Sequence, residues 1–452
     1  MPKNYYKICD TQQAKTDSAR DPITQAKPKS KPPRAKSLHS VVSCALKDLK
    51  GANNLRSTRD LKRDALYVWK DYAHTKTLKT SHKATKLCNF ASNDYLGLAS
   101  DDNQAFFDFI KDKGLGEDTL RFGSSSSRLL SGGFEVSAHF ESYISSLFSP
   151  KSALLFNSGY HLNLSVIAAL GTLESILFLA DEFVHASMID GLLLSRARFK
   201  RFPHNDIRSL ATMLDLASKQ YAHIIILSEG IFSMEGDMCN LEALVALKKQ
   251  YDNVYLYLDE AHSLGVLGRD GLGLAQEKGL SEEVDFLVFA FGKALGSIGA
   301  CIVCAKPFRE FFVNKARALI YSTALPPINI AFSYFAFCLL PFLQERREKL
   351  QVLSAYFKTK LQEKAQDLAL ESTFTADTFP FSNTFVRGEL QIVSLILGSN
   401  EFASKYARKL ADCGFFAPAI KEPTIPKNTA RIRFCLNAKM DSALLDSVCE
   451  AL

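Results

Sequence analysis

The chain has 452 residues, 47% hydrophobic and 23% charged, with 23 Gly and 15 Pro; this globular composition excludes a wholly disordered, collagen-like or low-complexity protein. Ten cysteines over that length are too dilute for a disulfide scaffold and predict reduced thiols in a cytoplasmic protein. The net charge of +7 is unevenly placed: residues 1–86 hold 20 Lys/Arg against 7 Asp/Glu with no Glu, leaving 35 against 41 for the remainder.

The basic leader comes first. KPKSKPPRAK at 27–36 has nothing to bury and predicts disorder over residues 1–39. Scarce acids partly fit a transit peptide, but lysines outnumber arginines. The aromatic interleaving of single-strand binders is missing, so the leader reads as a solvated extension with no nucleic-acid partner. MPKNYYKICD has no apolar core, so no secretory signal is read.

The apolar run at 153–156 (ALLF) predicts a strand, and those at 223–227 (HIIIL), 254–258 (VYLYL) and 286–289 (FLVF) predict strands buried on both faces. Between the second and third, LEALVALKKQY at 241–251 repeats its apolar residues at helical spacing and predicts a crossover helix. Glu229, Asp259 and Lys293 come after three of the strands at separations of 30 and 34 residues, which suits strand-helix-strand units. Ligands of open parallel sheets gather outside the carboxyl ends of the strands, so one cleft collects these groups. After the first strand, Asn157-Ser158-Gly159-Tyr160 predicts a tight turn into a helix whose free N–H groups suit an anion. Cys301 and Cys304 lie in the apolar run ACIVC and read as strand thiols, not zinc ligands. The uncharged stretch 318–344 contains Pro326 and Pro327; its apolar part beyond the prolines is too short for the ~20 residues of a bilayer span and predicts a buried helix, with no membrane span.

An acid, a histidine and an approachable lysine in one cleft suit pyridoxal phosphate: the lysine forms a Schiff base, the carboxylate keeps the ring nitrogen protonated, and the ring acts as an electron sink. Asp259 and His262 leave one strand end three positions apart, and Lys293 is flanked by Gly292 and Ala294. Singly, each has a bland reading as a surface lysine, a capping aspartate or a core histidine. Together with the turn at Ser158-Gly159 and with His185 in DEFVHASMID, they point away from packing alone. No His-rich or paired-acid spacing indicates a metal site.

With these groups in place, residues 45–452 resemble the α-oxoamine synthases of the fold-type I pyridoxal-phosphate enzymes. NFASNDYLGL at 89–98, GSSSSRLLSG at 123–132, SEGIFSMEGD at 228–237, DEAH at 259–262 and IYST at 320–323 come in that family's order. The resemblance implies a large doubly wound, mainly parallel α/β domain over 135–330 and a smaller C-terminal α/β domain over 331–452, preceded by an N-terminal segment over 40–134 whose first helix is expected within 46–56. It makes Lys293 the Schiff-base lysine, Asp259 the partner of the pyridine nitrogen, His185 the residue stacked on the ring, and Ser233 and His262 the partners of its phenolate. Ser158, Gly159 and Tyr160 match the turn that holds the cofactor, and Ser322 and Thr323 match residues reaching the neighbouring subunit's cofactor phosphate, which implies a homodimer with shared sites. Arg433 matches the arginine that receives the amino-acid carboxylate, Asn93 belongs to the opening signature at the substrate site, and Arg56 is expected to reach the acyl substrate. One departure is Ala290, where the family has a hydroxyl residue bonding the phosphate. The implied activity is a decarboxylative condensation of an amino acid with an acyl thioester. Residues 419–431 and Phe202-Pro203-His204-Asn205-Asp206 are most similar to members joining alanine to a pimeloyl thioester, although Lys421-Glu422 replaces their Arg-Pro; glycine, serine and other acyl chains stay open. Arg56, Arg128 and Lys421 are the candidate cations for a distal acyl carboxylate.

Overall fold

The computed structural model describes residues 37–59, 61–64, 66–70, 85–101, 103–371 and 385–452. A helix, Leu38–Gly51, opens on Ser37, whose Oγ accepts the Ser40 N–H at 3.2 Å, a standard N-cap. Leu38 and His39, assigned to the leader by composition, are therefore helical, and the helix expected within 46–56 ends at Gly51. The cap residue decides the start: Ser37 is the first residue after the Pro/Lys run able to accept that bond. The rest of the leader, 1–36, lies outside the described residues.

Strands β1 (Lys62–Asp64), β2 (Tyr67–Lys70) and β3 (Thr85–Asn89) pair antiparallel in succession. The main sheet then takes β4 (Ser152–Phe156), β5 (Ile176–Asp181), β6 (Arg198–Phe202), β7 (His223–Glu229), β8 (Val254–Asp259), β9 (Phe286–Ala290) and β10 (Ala300–Cys304), in the order β4-β10-β9-β8-β7-β5-β6. From β9 to β6 every pairing is parallel; β10 runs antiparallel to both β4 and β9. The continuous aliphatic runs reflect burial on both faces: β5 and β10 are buried at every position. Cys301 and Cys304 are accordingly fully buried strand thiols. The crossover helix is Leu241–Lys248, capped by Asn240.

The C-terminal part contributes β11 (Val386–Arg387), β12 (Ile392–Gly398), β13 (Phe415–Phe416), β14 (Ala419–Ile420) and β15 (Ala430–Cys435). Four of them form a sheet in the order β11-β12-β15-β14, whereas β13 pairs in parallel with β3, so the N-terminal segment and the C-terminal domain share a sheet. Side chains alternate along β15. Ile432 and Phe434 enter the small-domain core, where Phe434 meets Phe90 and Phe357 at 5.8 and 5.2 Å; Arg431 and Arg433 consequently face the main-sheet domain. Helix Pro327–Leu339 begins with proline, which suits the first turn, and its apolar surface packs on helix Glu135–Leu147. It runs through the domain boundary expected at 330/331. Among the described residues no single helix is long and apolar enough to cross a membrane.

Candidate active site

Parallel register brings the chemistry together. Glu229 and Asp259 end neighbouring strands and face each other across the ladder. Asp259 Oδ2 accepts Asn163 Nδ2–H at 2.7 Å and its Oδ1 accepts the Ala261 N–H at 2.9 Å. Asn163 is itself fixed by Tyr257, whose hydroxyl donates to Oδ1 at 2.6 Å, and by Ser187 Oγ at 3.1 Å. The carboxylate is thus pinned in one orientation at a buried strand end.

Lys293 lies just beyond β9 and is half-buried. Its amine has no hydrogen-bond partner among the described residues, and burial lowers its pKa against the pull of Asp259 and Glu229. Glu229 accepts the His185 N–H at 2.5 Å; burial, reinforced by Asp259, pushes its carboxyl well above the ordinary range. His185 caps helix Ala186–Ser195, its Nδ1 lying 2.8 Å from Ser187 Oγ. Its ring is open to the cleft, yet desolvation by the surrounding protein lowers its pKa, which favours a neutral, stackable imidazole.

His262 is buried beside Tyr95, whose hydroxyl lies 2.7 Å from Nδ1 and donates to Asn93 Oδ1 at 3.1 Å. Burial and then Lys293 hold this imidazole neutral, well below its ordinary pKa. Asn93 Oδ1 also accepts both terminal nitrogens of Arg433 at 3.3 Å, while Arg433 Nε donates to the Ser233 carbonyl at 2.6 Å. Asn93, Ser233, His262 and Arg433 therefore meet, although they come from four separate parts of the chain. The Ser233 hydroxyl makes no hydrogen bond among the described residues.

Ser158 caps helix Gly159–Leu170, accepting the His161 N–H at 3.3 Å. The N–H groups of Gly159 and Tyr160 have no acceptor among the described residues, leaving a helix N-terminus open to an anion. A Cβ on Gly159 would lie 3.2 Å from the Ala290 Cβ, so Ala290 borders this turn at the place where a hydroxyl would face it. The Tyr160 hydroxyl donates to Asp190, and its ring meets His185 edge-on at 6.4 Å. At the same rim Asn157 Nδ2 donates to Ser322 Oγ at 3.0 Å and to the Thr323 carbonyl at 2.7 Å.

Arg56 stands apart from the strand ends, its guanidinium donating to Thr424 Oγ1 at 2.9 Å on the loop after β14. Lys421 Nζ donates to the Asn53 carbonyl, and burial together with Arg56 and Arg59 lowers its pKa. None of these three cations pairs with a carboxylate among the described residues. Arg128, by contrast, is engaged by Glu141, which also binds Arg309 and the Leu155 N–H, and is removed as a candidate for the acyl carboxylate. Two residues of the site, Asn163 and Tyr95, carry no role on sequence grounds. Asn163 is a lone amide in the apolar helix GYHLNLSVIAAL, a signal that could have found it; Tyr95 sits inside the NFASNDYLGL motif, where only its hydroxyl contact with His262 gives it a function.

These groups fit pyridoxal phosphate: an unpartnered amine, an oriented carboxylate, two neutral imidazoles and a free helix N-terminus border one cleft. Lys293 would carry it through its aldehyde, Asp259 would hold the ring nitrogen, and the turn at Ser158-Gly159-Tyr160 would take the phosphate.

The aminotransferase class I and II family profile matches residues 85–452. A Neisseria meningitidis protein named "Putative 8-amino-7-oxononanoate synthase" is 42% identical over 401 residues, covering 89% of this chain and 97% of the relative. The structure of 8-amino-7-oxononanoate synthase from Francisella tularensis matches with a TM-score of 0.63 and 26% identity over 81% of this chain and 95% of that one. Serine palmitoyltransferase from S. paucimobilis with bound PLP and myriocin shares the fold, with a TM-score of 0.74 and 22% identity over 92% and 97% of the two chains. With the profile and these relatives covering most of the chain, and with Asp259 at a strand end, Lys293 just beyond another and a helix N-terminus beside them, the chain belongs to the aminotransferase class I and II family and, within it, to the pyridoxal-phosphate-dependent α-oxoamine synthases.

Proposed function

We propose that the chain condenses L-alanine with a pimeloyl thioester, releasing the thiol and carbon dioxide and giving 8-amino-7-oxononanoate. The observation that carries the acyl assignment is the cluster of Arg56, Arg59 and Lys421 beside Thr424, three cations with no carboxylate partner among the described residues. Like charges this close favour an anion between them, and the distal carboxylate of a dicarboxylic acyl chain supplies one. The named relatives support the same reading.

Pyridoxal phosphate, when bound, supplies an electron sink for the charge developing at the amino-acid Cα. The chain's own groups do the rest. Arg433, held by Ser233 and Asn93, takes the amino-acid carboxylate with a planar fork. Lys293, with its amine pKa lowered by burial, removes the Cα proton and later returns one. Asp259 is kept in place for the ring nitrogen by Asn163, and His185 by Glu229 and Ser187. Carbon–carbon bond formation expels the thiol, and loss of carbon dioxide from the β-keto acid precedes reprotonation.

A homodimer belongs to the proposal. Phe122, Leu130 and Tyr321 are 87%, 82% and 72% exposed, and helix Leu38–Gly51 buries nothing although Leu38, Val41, Val42, Leu46 and Leu49 lie on it. Pairing would cover such surface and bring Ser322 and Thr323 to a partner's phosphate. A cytoplasmic location agrees with the nine free cysteines among the described residues.

The test offers alanine, glycine and serine, each with pimeloyl and long monocarboxylic thioesters, and measures thiol and carbon dioxide release. Alanine with the pimeloyl donor should turn over fastest. Faster turnover of glycine or serine with a monocarboxylic donor would overturn the substrate assignment and leave the family intact. A methyl group alone discriminates by only about 1–3 kcal/mol, so weak acceptance of the other amino acids is compatible with the proposal.

A further inference from the structure

His204 sits between carboxylates from two different elements. Its Nδ1 lies 2.9 Å from Asp181 Oδ1 at the end of β5, and its Nε2 lies 2.8 Å from Asp237 Oδ2 in the turn after β7. Phe183 covers the ring at 4.6 Å and Phe232 meets it edge-on at 4.5 Å. The neighbouring Asn205, at φ 53°, donates from Nδ2 to Asp237 Oδ2 and to the Met238 carbonyl. A neutral imidazole has one N–H and serves one acceptor; two ionised carboxylates, which only accept, select the doubly donating cation.

Asp237 closes the turn that carries Ser233: the Phe232 N–H donates to the Asp237 carbonyl at 2.9 Å and the Gly236 N–H to the Phe232 carbonyl at 2.8 Å. From the small domain, Arg387 and Arg431 grip Glu235 at 2.5 and 3.0 Å, and Arg433 Nε reaches the Ser233 carbonyl at 2.6 Å. The turn is thus held by ionic contacts on both sides, and His204 supplies the anchor to the main sheet.

We propose that His204 is a positioning residue for the reaction: bridging Asp181 and Asp237, it fixes the turn 232–237 and, through the Ser233 carbonyl, sets the guanidinium of Arg433 for the amino-acid carboxylate. This rests on the role given to Arg433 under the proposed function. The charged or titratable groups around the imidazole are Asp181, Glu182, Arg201, Asp237, Cys239 and, facing Asp237 from the small domain, Glu389. Burial opposes the charge, but the bonds to Asp181 and Asp237 outweigh it and push the pKa up to about 10. With the folded value above the unfolded one, near 6.5, the bridge stabilises fully below that pH and is lost as pH rises toward 10.

His204→Gln keeps one neutral donor and removes the charge. In the holoenzyme it should raise the amino-acid KM about tenfold while kcat changes far less; in the cofactor-free protein it should speed backbone amide exchange at 230–238. Adding Asp237→Asn, which offers an amide to the glutamine, should recover much of the KM. Arg433→Gln is the control. If Arg433→Gln leaves the amino-acid KM unchanged, the reading of Arg433 fails and takes the proposal with it. If Arg433→Gln is impaired while His204→Gln lowers only the melting temperature, with KM and exchange at 230–238 unmoved, His204 is merely structural and the proposal alone is overturned. Should His204→Gln fail to fold, Asp237→Asn, at a side chain 29% exposed, opens the same bridge from its outer end and is judged by the same two readouts.

Discussion

The two ends of the proposed substrate site are built differently. At the cofactor end, Asp259 and Glu229 are 5% and 3% exposed, fixed by in-register strand ends and a chain of buried hydrogen bonds through Asn163 and Tyr257. At the proposed acyl end, Arg56 and Thr424 are exposed residues on loops 368 positions apart, joined by one hydrogen bond. Strand register cannot shift without breaking the ladder, so it protects the reaction type. Loops tolerate replacement, so under the proposed function the choice of donor would be carried where substitution costs least.

The largest effect should come from Lys293→Ala. Turnover should fall by on the order of 10³-fold or more, the upper part of the range for a lost general acid–base group, together with the visible absorbance band of the bound cofactor. Retention of band and turnover would remove Lys293 from the mechanism. Asp259→Asn comes next: folding should persist, because an amide can still meet the Ala261 N–H, while turnover drops on the order of 10²-fold through lost electrostatic stabilisation. Cα proton exchange at the wild-type rate would contradict that role.

At the acyl end, Lys421→Ala should raise the KM of the pimeloyl donor about tenfold, the scale of one charge-assisted hydrogen bond, and leave the KM of alanine unchanged. An equal change in both would erase the distinction between the two ends. A structural group beside the cofactor strand gives a smaller, pH-dependent effect. Glu260 is fully buried, accepting the Leu274 and Ala275 N–H groups at 2.9 and 2.7 Å and the Ser263 hydroxyl; burial, stronger than these bonds, pushes its pKa up to about 7. A carboxyl raised on folding favours the fold most below its unfolded value near 4.5, and that contribution is lost as pH rises to 7. Urea titrations should therefore show Glu260→Gln gaining on the wild type across this window, by up to about 3 kcal/mol; a constant difference would place the raised pKa elsewhere. The smallest effect is expected from deleting residues 1–36, which spares the Ser37 cap; their Pro/Lys-rich composition offers few apolar side chains to bury, so turnover should stay within about threefold.

The strands were legible because burial on both faces demands unbroken aliphatic runs: HIIIL, VYLYL and FLVF all lie within observed strands. The proposed reactive groups were legible because Asp259 ends such a run and Lys293 comes just after one. The helix at Leu38 was not, since Val41, Val42, Leu46 and Leu49 come after a polar leader whose composition dominated the reading, and the cap that starts the helix is a single serine. Asn163 is marked in the sequence as a lone amide in an apolar helix, but its partner is chosen only by the fold, which sets its Nδ2 2.7 Å from Asp259. Arg128 looked as eligible as Arg56 until Glu141 claimed it.

Local pattern thus indicated the buried strands, the crossover helix, the turn at Ser158-Gly159 and the places of Asp259 at a strand end and Lys293 just beyond one, because each depends on residues near in sequence obeying a fixed period. Tertiary structure decided what lies across from what: β13 joining β3, Arg433 reaching Ser233 and Asn93, Lys421 gathering with Arg56 and Arg59, and His204 bridging Asp181 to Asp237. Partners tens to hundreds of residues apart leave no periodic trace in one sequence, and distance, burial and charge select among them only after the chain has closed.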